Sequence, residues 1–192
     1  IEPMKASLAE IPSVSDGWAT EIKWDGVRAI SFCEDGELRL QGRRLNDITG
    51  LFPEIGPLGR QAAAEGTVLD GEMVAFDEDG IPSFQRIQKR LRQDGERLRN
   101  RSYVATFIIF DLLYADGVDM RDRPYSERRE QLEARGLNGP TWQTPDYLEV
   151  DIWLHRGRFE ARHERRISWL PFLYEKWYLR RVPRGRYGLE EL

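Results

Sequence analysis

Apolar and polar residues alternate early in the chain: Trp18, Thr20, Ile22 and Trp24 fall on one face of an extended segment, and Ala19, Glu21 and Lys23 on the other. That period of two marks a half-buried strand. Asp25-Gly26 separates this run from Val27-Arg28-Ala29-Ile30-Ser31-Phe32. An Asp-Gly pair between two such runs predicts a hairpin with glycine at positive φ, which would fold Arg28 back near Lys23. Glu34-Asp35-Gly36-Glu37 is a second turn and Leu38-Arg39-Leu40-Gln41 a third strand, so an antiparallel meander builds up. Residues 67–76 form a further strand with Val68, Asp70, Glu72, Val74 and Phe76 on one face, and residues 103–114 are an almost unbroken apolar run, as a buried central strand reads.

Helical spacing occupies the remaining ordered stretches. Residues 54–65, rich in Ala and Leu, form a structural helix. A second runs from Phe84 to about Gln93 behind a Ser83 cap, with Phe84, Ile87 and Leu91 on one side and Arg86, Lys89, Arg90 and Arg92 as a solvated face rather than a DNA contact. A third, amphipathic, covers residues 124–135 and stops at Gly136. Residues 1–17, with Pro3, Pro12, Ser13, Ser15 and Gly17, read as an extended lead-in. Residues 146–192 show poor periodicity of any kind. Strands and helices in this order give an α+β fold.

Composition narrows this picture. A chain of 192 residues suits one domain with at most a small appendage. Its net charge of −4 is unevenly spread: residues 1–150 hold 27 acidic and 19 basic groups, and residues 151–192 hold 6 and 10. An acidic body argues weakly against a dedicated nucleic-acid module, although local basic patches can serve that purpose. The single cysteine, Cys33, excludes an internal disulfide and a Cys-rich zinc site, and its apolar strand favours a packed thiol over a nucleophile. A single cysteine suits a reducing cytoplasm; no apolar run reaches membrane-spanning length and no signal peptide is visible. The start at Ile1 rather than Met points to a longer parent chain.

Candidate chemistry gathers at two places. Glu21, Lys23 and, past the turn, Arg28 either form a solvated face or surround a reactive amine. Asp70 and Glu72 are costly to bury in an apolar strand unless paired, protonated or bound to cations or hydroxyls. Glycosidase carboxylates flank a bond from separate elements, so two on one strand do not fit that class. There is no Walker loop or Gly-x-Gly-x-x-Gly, and phosphates would have to be held by side chains.

Written as Lys-x-Asp-Gly-x-Arg, residues 23–28 resemble the nucleotidyltransferase motif of ATP-dependent DNA ligases and capping enzymes, and with Glu21 and Trp24 the bacterial end-joining ligases in particular. Pro3-Met4-Lys5-Ala6 is similar to the entry segment of those ligases. Residues 42–49 with Phe52-Pro53-Glu54 resemble their Ser-Arg-Asn-Gly-x-Asp-x-Thr and Phe-Pro-Glu segments, Gly42 and Arg44 departing from the pattern. Asp70-Gly71-Glu72 and Phe110-Asp111-Leu112-Leu113-Tyr114 resemble the next two motifs. The resemblance covers about residues 3–145 and implies an ATP-grasp-like nucleotidyltransferase domain, antiparallel sheets flanked by helices, followed by a divergent basic segment at 146–192.

The roles it implies are Lys23 as nucleophile, Glu21 on the adenine amino group, Arg28 on the ribose, Arg43 on the nick phosphate, Glu72 on the ribose or metal, and Phe110 stacked on the base. The cofactors implied are ATP and Mg²⁺ or Mn²⁺. The implied partners are nicked double-stranded DNA, an end-binding repair protein and an oligonucleotide-binding-fold domain in cis, at the bacterial nucleoid and away from membranes. Glu21 favours ATP over GTP, since guanine offers a carbonyl where adenine offers an amino group. A non-catalytic remnant and a capping-type guanylyltransferase are the alternatives. The family's late Glu-Gly-x-x-x-Lys and Trp-x-Lys-x-Lys motifs are not found in residues 146–192, where Lys176 is the only lysine among nine arginines, and Arg180 and Arg181 are a loose echo. Weak activity is therefore expected of this chain alone.

Overall fold

The computed structural model describes residues 1–3, 18–22, 24–62, 66–91 and 103–145 and the strands at 151–155, 158–162 and 179–183; the three late strands and residues 18–22 are described as backbone. The meander begins at β2 (Val27–Glu34) and β3 (Glu37–Gly42), joined by Asp35 at φ 51° and Gly36 at φ 81°. Both central residues at positive φ match the right-handed twist of the flanking strands, so this hairpin forms as predicted. β4 (Thr67–Ala75) pairs with β2, and β5 (Ala105–Ala115) pairs with β4. β6 (Val118–Asp119) completes the antiparallel order β3-β2-β4-β5-β6, and β7 (Trp142–Gln143) adds to β5 in parallel. Enclosed by these neighbours, β5 is buried along nearly its whole length.

The first strand corrects an expectation. β1 (Trp18–Ile22) pairs with β10 (Leu179–Pro183) and not with β2, so Asp25-Gly26 carries the chain between two sheets and turns no hairpin. Both edges of β2 are already filled by β3 and β4. Gly26 is absent from the positive-φ residues, and a Cβ there would lie 2.2 Å from the Met73 carbonyl oxygen and 2.9 Å from Glu72 Cγ. Glycine is required for close passage over β4 rather than for a left-handed turn. The remaining late strands, β8 (Asp151–His155) and β9 (Arg158–Arg162), form a separate antiparallel pair.

Side chains from alternate positions of the six-stranded sheet divide into two sets. Ala29, Cys33, Leu69, Met73, Phe107, Ile109 and Leu112 form the main core with residues from two 3-10 turns (Thr49–Leu51 and Pro53–Ile55) and from three helices. The helices are α1 (Leu58–Ala62), α2 (Phe84–Leu91) and α3 (Tyr125–Ala134), contributing Leu58, Ile87 and Leu132. Each large apolar side chain so buried contributes on the order of 1.5–3 kcal/mol. Trp24, Val74, Ile108 and Phe110 gather separately, with Phe76 alongside. That second cluster positions the candidate site.

The helices differ in detail from their patterns. The predicted helix at 54–65 shortens to α1, because Pro53 to Ile55 wind a 3-10 turn first; residues 63–65 lie outside the described residues. Ser83 precedes α2, its carbonyl accepting the Ile87 amide at 3.3 Å, and Gly136 at φ 56° ends α3 as expected. Arg90 is not on a solvated face. It is buried, its Nε donates to the Leu51 carbonyl at 2.7 Å, and its two terminal nitrogens donate to Glu54 at 2.5 and 2.7 Å. Glu54 also accepts the Ala105 amide at 3.1 Å, so one ion pair ties α2, a 3-10 turn and the start of β5 together. Arg92 and residues 4–17 lie outside the described residues.

Candidate active site

Ladder register sets the geometry. Arg28 on β2 stands opposite Glu72 on β4, and Ile30 opposite Asp70. Arg28 reaches diagonally, Nε to Asp70 Oδ1 at 2.5 Å and Nη2 to Oδ2 at 2.6 Å. The Asp70 side chain is fully buried and that of Arg28 is 13 % exposed. The cost of burying Asp70, apparent from the sequence, is offset by a two-pronged charge-assisted pair. The Arg28 guanidinium carbon also sits 4.5 Å from the centroid of the Phe110 ring, within cation–π range. Glu72 is half-buried beside them.

Phe110 occupies an irregular place in its strand. Asp70 pairs with Asp111 and Gly71 with Ile109, so the register shifts across Phe110. A bulge of this kind re-aims a side chain. Gly71 makes the close approach possible, because a Cβ there would lie 2.4 Å from the Ile108 carbonyl oxygen and 2.4 Å from the Phe107 ring. Both motif glycines, Gly26 and Gly71, thus serve to bring motif-bearing strands together.

Trp24, Arg28, Glu72 and Phe110 are therefore brought to one neighbourhood. Arg43 is not among them. It lies exposed on the turn after β3, where Gly42 and Asn46 exchange a backbone bond at 2.9 Å and Leu45 adopts φ 63°. The Thr49 hydroxyl accepts the Leu40 amide at 2.8 Å and Asp47 Oδ1 accepts the Thr49 amide at 2.8 Å, so this turn is well braced. Hydrogen bonding from Thr49, side chain first and backbone second, holds the Asp47 carboxyl below its usual range. Lys23 lies outside the described residues, as does the Glu21 side chain; the Glu21 backbone is paired with Arg180 of β10.

Two elements of the site were not read from the sequence. Asp70 appeared as half of a carboxylate pair, whereas it is the partner of Arg28. Asp111 is held by Arg128 of α3, Nε to Oδ1 and Nη2 to Oδ2 both at 2.8 Å. An aspartate inside an apolar strand needs a buried cation, and that signal was available.

Comparison with known proteins agrees with this geometry. A family model described as ATP dependent DNA ligase domain matches residues 3–142. The chain is 36 % identical over 160 residues to the multifunctional non-homologous end joining protein LigD of Mycolicibacterium smegmatis, covering 83 % of this chain and 19 % of that protein. It is 35 % identical over 166 residues to a DNA ligase of Aeropyrum pernix, covering 80 % of this chain and 27 % of that one. Among solved structures, a mycobacterial DNA ligase D complexed with ATP and MES superposes with TM-score 0.65 at 33 % identity, over 76 % of this chain and 46 % of that chain. The chain thus spans between about a fifth and a half of the proteins it matches. The nucleotidyltransferase fold, the motif-bearing strands and the match over residues 3–142 make this chain a member of the ATP-dependent DNA ligase domain family, with LigD proteins among its relatives.

Proposed function

We propose that this chain carries out the adenylation step of ATP-dependent DNA ligation. The observation that carries the reading is the cluster of Arg28, Asp70 and Phe110, which gathers three sequence motifs around one sheet face. Lys23 Nζ, as a neutral amine, attacks the α-phosphate of ATP; the N–P bond forms as the bond to the bridging oxygen breaks, pyrophosphate leaves and the amine loses its proton. A free lysine with pKa of about 10.4 is almost wholly protonated at neutral pH, so this chemistry requires surroundings that favour the neutral amine, as burial or a nearby cation does in general. Arg28, fixed by Asp70, contacts the ribose, Phe110 stacks on the base, and Glu21 accepts a hydrogen bond from the adenine amino group, which favours ATP over GTP.

No group of three or more His, Cys, Asp or Glu side chains capable of holding a metal exists among the described residues. Asp70 is engaged by Arg28, and Glu72, opposite Arg28 in the ladder, is the motif carboxylate we assign to the metal or the ribose. One carboxylate completed by substrate phosphates suits the way Mg²⁺ is commonly held, and Mn²⁺ takes similar donors. When bound, the ion opposes the charge gathering on the phosphates and on the leaving pyrophosphate.

Transfer of AMP to a 5′-phosphate at a nick in duplex DNA follows, with Arg43 on the nick phosphate. Sealing by the 3′-hydroxyl calls on an oligonucleotide-binding-fold domain in cis, and end-joining repair at the nucleoid on an end-binding protein. The domain division is 1–145 for the adenylation core and 146–192 for a divergent basic segment. Incubation with α-labelled ATP and Mg²⁺ followed by a denaturing gel tests the central claim. Covalent label on this chain that disappears in Lys23→Ala is expected; label that survives that substitution overturns the mechanism.

A further inference from the structure

Phe110 lies where the register between β4 and β5 shifts, so its backbone departs from a regular ladder while Arg28 sits over its ring. Helix α3 packs there. Its buried positions Tyr125, Arg128, Arg129 and Leu132 follow helical spacing, yet two of the four are arginines. Arg128 is 1 % exposed and Asp111, next to Phe110, is 3 % exposed. Besides its fork on Asp111, Arg128 donates Nη1 to the Arg123 carbonyl at 2.7 Å, while Asp111 Oδ1 accepts the Leu112 amide at 2.9 Å. Arg129 donates Nη1 to the Phe110 carbonyl itself at 3.4 Å, Nη2 to the Pro145 carbonyl, and Nε to Glu133 at 2.8 Å.

We propose that Arg128 and Arg129 are positioning residues for the nucleotide base: gripping Asp111 and the Phe110 carbonyl from α3, they hold the Phe110 ring in its stacking orientation. The proposal rests on the reading of Phe110 as the residue that takes the base. A planar fork with both prongs engaged allows Asp111 one orientation, and a buried ion pair of this kind is weak evidence for stability alone, since packed apolar residues of similar volume often do as well. Its distinguishing property is fixed geometry, and the geometry it fixes is that of the residue beside the ring.

The test uses two ligands that differ only by the base, AMP and ribose 5-phosphate, with dissociation constants measured on the full chain by calorimetry. Their ratio reports the contribution of the base. Arg128→Lys keeps the charge and loses the fork; the ratio is expected to fall about tenfold, a fraction of what base–aromatic stacking commonly supplies, with ribose 5-phosphate binding unchanged. A merely structural role would lower the melting temperature and leave the ratio at its wild-type value, which would overturn the proposal. Arg129→Gln, which leaves the Asp111 pair intact, carries the same comparison should Arg128→Lys fail to fold. Phe110→Leu separates the two levels: a ratio that survives it overturns the stacking reading, whereas a ratio lost in Phe110→Leu but retained in both arginine variants overturns the positioning role alone.

Discussion

Asp70 has no exposed side-chain surface, and both its oxygens are engaged by one guanidinium. Converting it to asparagine removes the charge that meets both prongs of the largely buried Arg28 guanidinium. Breaking a buried pair in this way costs about 3–5 kcal/mol. Asp70→Asn is therefore expected to lower unfolding free energy by about 3 kcal/mol in a urea melt, and a loss below about 1 kcal/mol would mean that solvent or another group already compensates the pair. The cost of an unpaired Asp70 could be read from the sequence; the identity of its partner could not, because the Asp25-Gly26 signal for a hairpin is the same dipeptide that a close passage over β4 requires. Cys33 was read more directly. It is buried, and burial pushes its thiol up to about 11 against a lowering hydrogen bond from Ser31, as suits a packed thiol in an apolar strand.

Whole elements are fastened by arginines that hydrophobic periodicity counts as polar. Arg90 in α2 and Arg128 and Arg129 in α3 occupy positions the helix buries, so a pattern of apolar residues alone assigns them to water. Strands were more legible, since alternation and the apolar run at 103–114 depend on side chains that have no other reason to be so arranged. The Arg90–Glu54 pair also makes the attachment of α2 sensitive to acid. Burial pushes the Glu54 carboxyl up, but the hydrogen bond and charge of Arg90 and two backbone bonds outweigh it, leaving the group below its ordinary 4.5. A folded value below the unfolded one gives stability that is complete above pH 4.5 and is lost as pH falls through the folded value. Melting temperatures followed between about pH 3 and 7 should drop more steeply at the acid end for wild type than for Glu54→Gln, which has no carboxyl to titrate. Parallel curves would assign the acid sensitivity to other carboxylates.

At the scale of the whole molecule, every core residue among the described ones lies between Trp24 and Trp142, while the later chain enters through the pairing of β10 with β1. Nothing in the periodicity of residues 146–192 announced that pairing, because a five-residue strand joined to a distant partner leaves no local pattern. Its register narrows the expectation that Lys176, Arg180 or Arg181 replaces the missing lysines. Arg180 stands opposite Glu21, and ladder partners share a face of the sheet; Arg181 stands opposite Thr20, one residue out of step. Arg180 thus holds the register position opposite a proposed nucleotide contact, while Lys23 and Lys176 lie outside the described residues. Self-adenylation by the full chain is expected to be weak and nick sealing absent. Arg180→Ala should reduce the adenylation rate by a further 10²–10³, on the order of one well-placed electrostatic donor, and Arg181→Ala far less. A chain ending at residue 145 should retain a cooperative melt, since it keeps every core residue among the described ones, and yet accept no label from ATP, since β1 has lost its partner strand. An unfolded truncation would place residues 146–192 within the folding unit and erase the boundary at 145, while equal losses from Arg180→Ala and Arg181→Ala would show that the register does not select the cation.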